Sequence, residues 1–173
     1  MEFDLSAEQI IHLLNLEPLP HEGGYFRSTY KSEETIPHQA LPPRYQQNMA
    51  CGSAIYYLLT PTDFSAMHRL TGDEIFHFYL GDPVEMLLLH PDGSGELSIL
   101  GNNLLKEMRP QKVVPRGVWQ GSRLLPEGRR GFALIGTTMA PAFDWSGFEL
   151  GERETLVNQY PAFRKHIVSR TRA

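Results

Sequence analysis

The sequence predicts an all-β domain, an antiparallel sandwich or barrel, on three observations. The first is punctuation: 15 Gly and 13 Pro in 173 residues break the chain too often for a helical bundle. The second is a series of eight or nine short runs rich in β-branched and aromatic residues, nearly all separated by turn signals. The third is that no helical pattern lies between those runs, which excludes a Rossmann-type chain of alternating strands and helices. At 173 residues and 41% apolar composition, the chain is sized for a single domain with one core. The expected barrel core covers about 23–140, with a C-terminal extension over 141–173.

The elements follow in order. Ser6-Ala7-Glu8-Gln9 fits a capping box, and Ile10, Ile11, Leu13 and Leu14 give the residues after it an apolar side, so a short N-terminal helix is expected before Pro18 and Pro20 end it. Tyr25 to Tyr30 is aromatic and hydroxyl-rich, a strand pattern. Lys31 to Asn48 is polar and carries prolines, and reads as a long surface loop. Strands are then predicted at Ser53 to Leu59, Phe64 to Leu70, Glu74 to Leu80, Val84 to His90, Leu97 to Leu100, Gln111 to Val114, Val118 to Leu124 and Phe132 to Thr138. Turns such as Gly81-Asp82-Pro83 and Pro115-Arg116-Gly117 separate them. Glu152 to Ser169 has a weak helical pattern around Pro161.

Charge and cysteine content narrow the function. Sixteen Lys and Arg against 20 Asp and Glu give a formal charge of −4 with no basic block, so no nucleic-acid partner is expected. Met-Glu-Phe-Asp at the start is acidic, and no apolar run approaches the ~20 residues that cross a bilayer. The expectation is therefore a cytoplasmic protein with no membrane partner. A single cysteine, Cys51, excludes an internal disulfide and zinc sites built on paired cysteines, and its setting suits a small buried filler. There is no G-x-S-x-G elbow, Walker-type loop or dinucleotide fingerprint.

Residues 65–81 carry the clearest chemistry. Read as a hairpin turning at Thr71, they set His68 opposite Glu74, with Ala66, Leu70, Phe76 and Phe78 on the same face. The other face carries Met67, Arg69, Ile75, His77 and Tyr79, also partly apolar, so a second subunit is one candidate cover for it. An imidazole beside a carboxylate can hold a metal, can act as an oriented general base, or can be a structural pair. A second stretch, Val113 to Gln120, places Pro115-Arg116-Gly117 before a strand in which Gln120 offers an amide donor and acceptor.

Together the two stretches resemble the cupin superfamily, whose motifs are G-x5-H-x-H-x3,4-E-x6-G and G-x5-P-x-G-x2-H-x3-N, the metal ligands being the three His and the Glu. His68, Glu74 and Gly81 fall on the first spacing, and Pro115 and Gly117 on the second. Leu70 and Gln120 stand at two ligand positions, Leu124 at that of the Asn, and Thr62 and Arg109 replace the leading glycines. No cofactor is expected; a divalent metal, if bound, would rest on His68 and Glu74. The strings Glu22-Gly23-Gly24-Tyr25-Phe26-Arg27, Asp73 to Gly81, Val114 to Gln120 and Ala140 to Asp144 resemble, more narrowly, cupin family 5, the domain of unknown function 985. That resemblance implies a jelly roll, or double-stranded β-helix, assembled as a homodimer, with a barrel pocket similar to those of dTDP-4-dehydrorhamnose 3,5-epimerases.

On this reading His68 is the expected general base and Glu74 its partner, with Gln120 hydrogen-bonding a bound molecule. Arg27 offers a guanidinium to a phosphate or carboxylate, and Tyr25 and Trp119 offer rings for stacking, although alternation turns Trp119 away from Gln120. His77 reaches the interior only if a bulge turns it. The expected ligand is a small polar molecule such as a sugar nucleotide, and the expected chemistry is metal-independent epimerisation or isomerisation. The alternatives are a non-catalytic small-molecule-binding dimer and a metal-dependent oxygenase.

Overall fold

Local chemistry places the element ends where the sequence puts them. In the computed structural model, which describes residues 5–172, helix α1 spans Ala7–Leu13. The Ser6 hydroxyl accepts the Gln9 backbone N–H at 3.2 Å, and the Gln9 side chain accepts the Ser6 N–H at 2.8 Å, completing the capping box. Thirteen strands follow among the described residues, from Glu17 onward.

Six strands form the first sheet: β1 (Glu17–Pro18), β2 (Tyr25–Lys31), β5 (Ser53–Leu59), β12 (Ala133–Met139), β7 (Glu74–Gly81) and β10 (Gln111–Val114), hydrogen-bonded in that order. Five form the second: β13 (Phe148–Leu150), β6 (Ser65–Leu70), β11 (Trp119–Leu124), β8 (Val84–Leu89) and β9 (Gly95–Leu100). All the strand pairs within these sheets are antiparallel, and the two sheets close into the expected jelly roll. The segment read as a long loop holds a two-stranded ribbon, β3 (Thr35–Ile36) with β4 (Met49–Ala50), and a 3-10 turn at His38–Ala40.

The hairpin expected over 65–81 does not form. β6 pairs with β11 and β13, whereas β7 pairs with β12 and β10, so Thr71-Gly72-Asp73 is a corner where the chain leaves one sheet for the other. His68 and Glu74 therefore approach across the barrel from opposite sheets. Their common inward direction survives, because alternation within each strand is unaffected by which strand lies beside it.

The barrel is filled at one end by Tyr57, Leu59, Phe76, Val84, Met86, Leu88 and Ile135, all essentially inaccessible. Each such side chain contributes about 1.5–3 kcal/mol of transfer free energy. Outside the second sheet, Met67, Leu87, Leu89 and Trp119 pack beneath helices α2 (Arg153–Gln159) and α3 (Arg164–Val168) through Leu156, Tyr160 and Ile167. The cover over this face is thus the chain's own C-terminal segment. Arg170, with none of its surface exposed, ties that segment down by donating to the Glu85 carboxylate and the His166 carbonyl. Outside the first sheet, Ile10, Leu16, Leu58, Phe132 and Leu134 bury α1 against one end, while Tyr30, Tyr79 and Val113 on the same face are exposed.

Candidate functional site

At the end of the barrel opposite its apolar filling lies a cavity of ≈ 250 Å³. Strand alternation delivers its walls: Phe26 and Ser28 from β2, Ile55 from β5, His68 and Leu70 from β6, Glu74 from β7, Thr137 and Met139 from β12. Phe143, Asp144 and Trp145, which follow the cis Ala140–Pro141 bond, close one side of the mouth, and Lys31 sits on the opposite strand end. Inside the mouth, the ionisable side chains on the walls are His68, Glu74 and Glu22.

His68 is 2% exposed, and its orientation is fixed by two contacts. Nδ1 lies 2.7 Å from the Ala66 carbonyl oxygen, and the ring stacks on Phe148 at a centroid distance of 5.2 Å and 20°. A carbonyl only accepts, so Nδ1 carries a proton, and in the neutral form of the ring the lone pair lies on Nε2. Nε2 lies 4.0 Å from a carboxylate oxygen of Glu22. That carboxylate accepts the Ser65 hydroxyl at 2.6 Å.

Glu74 is 7% exposed and accepts the Gln120 side-chain N–H at 2.7 Å. Burial raises its pKa above the ordinary carboxylate value; the His68 imidazole opposes that rise, the Glu22 charge adds to it, and hydrogen bonds from Thr137 and Gln120 oppose it. The Tyr57 hydroxyl, pushed well up by burial and then by the Glu22 charge, donates to the Gly23 carbonyl at 2.8 Å and is held beneath the same corner.

Glu22 is a site residue that the sequence motifs do not single out. It precedes Gly23 and Gly24, whose φ angles are 104° and 71°. A Cβ on Gly23 would fall 2.5 Å from the Phe64 carbonyl oxygen, and one on Gly24 2.8 Å from that of Leu58. Only glycines let the chain fold this tightly against β5 and β6. The Glu-Gly-Gly string is the one sequence signal that marks this corner, and the partner it serves, Ser65, is 43 residues away in the chain.

The other expected residues are placed elsewhere. Gln120 is 2% exposed and stands behind Glu74 as its donor; its side-chain Oε1 has no hydrogen-bond partner among the described residues. Arg27 and Tyr25 lie on the outward face of β2, where Arg27 donates to the Asn15 carbonyl at 3.4 Å and Tyr25 packs with the α1 cluster. Their neighbours Phe26 and Ser28 take the inward positions. His77 also points outward: the bulge in β7 falls beyond it, and its ring contacts Thr138 Oγ1 at 3.0 Å and the Gln111 amide at 3.3 Å. Trp119 is buried under the C-terminal helices with the Arg69 guanidinium 4.5 Å over its ring.

The four positions at which the cupin motifs carry ligands hold His68, Leu70, Glu74 and Gln120. Leu70 offers an alkyl wall, and Gln120 turns its N–H, not a lone pair, toward Glu74. Among the described residues no three His, Cys, Asp or Glu side chains are grouped to hold an ion. Of the motifs' four donors one imidazole nitrogen and one carboxylate remain, fewer than the three protein ligands typical of a first-row divalent site, and the carboxylate on the Nε2 side is that of Glu22, outside the motifs. The cavity thus brings together an imidazole with Nε2 facing inward, a carboxyl whose pKa is raised by burial and a second carboxylate, within apolar walls.

Comparison with known proteins bears on both fold and family. Residues 8–151 match the family model described as Cupin superfamily (DUF985). The uncharacterized protein YML079W of Saccharomyces cerevisiae is 31% identical over 147 residues, covering 77% of this chain and 70% of the yeast protein. The crystal structure of protein SO0799 from Shewanella oneidensis superposes with a TM-score of 0.83 at 33% identity, over 97% of this chain and 98% of that one. A hypothetical protein from Leishmania major gives a TM-score of 0.86 at 25% identity, over 98% and 100% of the two chains.

Proposed function

The chain belongs to the DUF985 family of the cupin superfamily, and from that premise we propose that its barrel cavity binds a small polar carbonyl compound and catalyses proton transfer next to the carbonyl, as an epimerase or isomerase that needs no metal. The observation that carries the reading is the pairing, in one apolar-walled cavity, of the His68 Nε2 lone pair with a Glu74 carboxyl whose pKa is raised by burial. His68 Nε2 takes the proton from the carbon beside the carbonyl, and the electron pair passes into the enolate oxygen. Glu74 in its protonated form, steadied by Gln120, supplies the proton that returns to the carbon. Glu22 faces Nε2 and stabilises the imidazolium formed in between. At ≈ 250 Å³ the cavity falls just under the ~300–1,000 Å³ of typical ligand sites, so it takes a small molecule or the reacting end of a longer one. A sugar-nucleotide substrate fits the second description.

The reading includes a homodimer. The bare part of the first sheet's outer face carries Tyr30, Tyr79 and Val113 at 57%, 43% and 49% exposure, while the second sheet's outer face is covered by α2 and α3. A second copy of this aromatic face supplies matching apolar area.

A thermal-shift screen with sugars, sugar nucleotides and keto acids, followed by incubation of each hit in D2O, tests the chemistry. Proton NMR should report loss of the signal beside the carbonyl with the wild type and its retention with His68→Ala. Equal deuterium incorporation by both would overturn the assignment, and binding without exchange would identify a non-catalytic binding protein.

A further inference from the structure

A groove on the rim of the barrel gathers three arginines from three separate corners: Arg44 from the segment between β3 and β4, Arg69 near the end of β6, and Arg116 from the turn between β10 and β11. One carboxylate, Glu149, lines the groove with them. In a chain of net charge −4, three guanidiniums against one carboxylate is a local reversal of sign.

Two of the three are held in place by contacts that leave donors unused. Arg44 stacks 4.8 Å over the Tyr45 ring and spends Nε on the Thr71 carbonyl at 2.9 Å, so both terminal nitrogens remain available. Arg69 stacks over Trp119 and makes a two-pronged pair with Glu149 at 2.8 and 3.0 Å, in which both side chains are about half exposed. An ion pair so placed contributes little and yields readily to a stronger anion. The guanidinium of Arg116 makes no hydrogen bond or ion pair among the described residues; its backbone N–H donates to Asp73, which fixes the turn.

The groove and the cavity adjoin a common depression. It shares Leu70, Met139, Phe143 and the carboxylate of Asp144 with the cavity, and Arg44, Leu70, Thr71 and Gly147 with the groove. A molecule whose reacting end sits at His68 can therefore run out over Leu70 and Thr71 to the arginines. We propose that Arg44, Arg69 and Arg116 form an anion subsite that holds a phosphate or diphosphate group of the substrate. This rests on the acid–base reading of the cavity and extends it to a substrate class. Planar guanidinium forks match the oxygens of a phosphate, and several converging forks favour a multiply charged group over a lone carboxylate.

Inorganic pyrophosphate, followed by calorimetry at low ionic strength, tests the subsite apart from the chemistry. The wild type and His68→Ala are expected to bind it alike, with Arg44→Ala and Arg116→Ala each weakening binding about tenfold and the double variant abolishing it. Circular dichroism and the unfolding midpoint establish that the variants are folded; Arg44→Lys and Arg116→Lys, which keep the charge and lose the fork, should recover only part of the affinity. Absence of pyrophosphate binding by the wild type, or binding unchanged in the double arginine variant, would overturn the proposal. Arginine-dependent binding together with no deuterium exchange in any hit would leave the subsite standing and remove the epimerase.

Discussion

Glu74→Gln separates a functional carboxyl from a structural one, and the direction of its effect follows from the structure. Burial raises the Glu74 pKa in the folded protein, while in the unfolded chain the group returns to its ordinary value. Between those two values the native state binds more protons than the unfolded state, so the derivative of unfolding free energy with pH is negative. The wild type therefore loses stability as pH rises through that window, and carries the whole deficit above it. An amide does not titrate. It keeps an oxygen that accepts the Gln120 N–H, now 2.7 Å from Glu74, and it forfeits the attraction to His68, which works against burial in the wild type. The variant should therefore be more stable than the wild type at pH 8, where the buried carboxyl is ionised and the amide stays neutral. Urea unfolding at pH 5, 7 and 8.5 reads this as a gap that widens with pH. A gap that is constant with pH, or that closes as pH rises, would refute the raised pKa. In the exchange assay the same substitution should remove turnover, so that stability and activity move in opposite directions, as expected of a strained catalytic carboxyl.

Two further predictions concern the frame. Arg170→Ala removes a fully buried guanidinium from Glu85 and leaves a void beneath α3, and should cost about 3 kcal/mol of unfolding free energy in urea, with loss of helical signal if the C-terminal segment detaches first. For the proposed dimer, light scattering should give twice the 19.7 kDa chain mass for wild type and a single chain mass for Tyr79→Lys combined with Val113→Lys; a monomeric wild type would disprove that interface.

Much of the fold is legible in the sequence because its signals are local. The capping box at Ser6, the strands at Ser53–Leu59 and Gln111–Val114, and the inward side of β6 and β7 all follow from short-range periodicity and turn chemistry. The hairpin at 65–81 fails for the matching reason. Thr71-Gly72-Asp73 has the composition of a tight turn, and the same three residues serve a corner between sheets equally well. The choice is made by β11 and β12, which lie some distance along the chain. On β2 the aromatic string signals a strand without saying which alternate set faces inward, and without that register Arg27 reads as a pocket residue when it lies outside. Glu22 escapes a local reading because its site role comes from a contact across the fold, to Ser65 and His68.

The two departures from the family's ligand pattern have a chemical consequence that follows from electrostatics. A divalent cation at the barrel centre would occupy the imidazole lone pair and hold a neighbouring carboxylate ionised. Leu70 withdraws one donor, and Gln120 presents an N–H where a ligand would present a lone pair, so the centre favours neither outcome. Desolvation then raises Glu74 against the pull of His68 and the hydrogen bonds from Thr137 and Gln120, and Ala66 claims Nδ1 of His68, leaving Nε2 toward the cavity. A proton acceptor and a proton donor in one cavity require these two conditions together, and in this barrel both depend on the side chains at 70 and 120. Leu70→His with Gln120→His tests that dependence: it should create nickel or cobalt binding measurable by d–d absorption, while abolishing exchange even in metal-free buffer, because the new imidazoles replace the donor that steadies Glu74. Retained exchange in the metal-free double variant would show that Gln120 has no part in holding the acid.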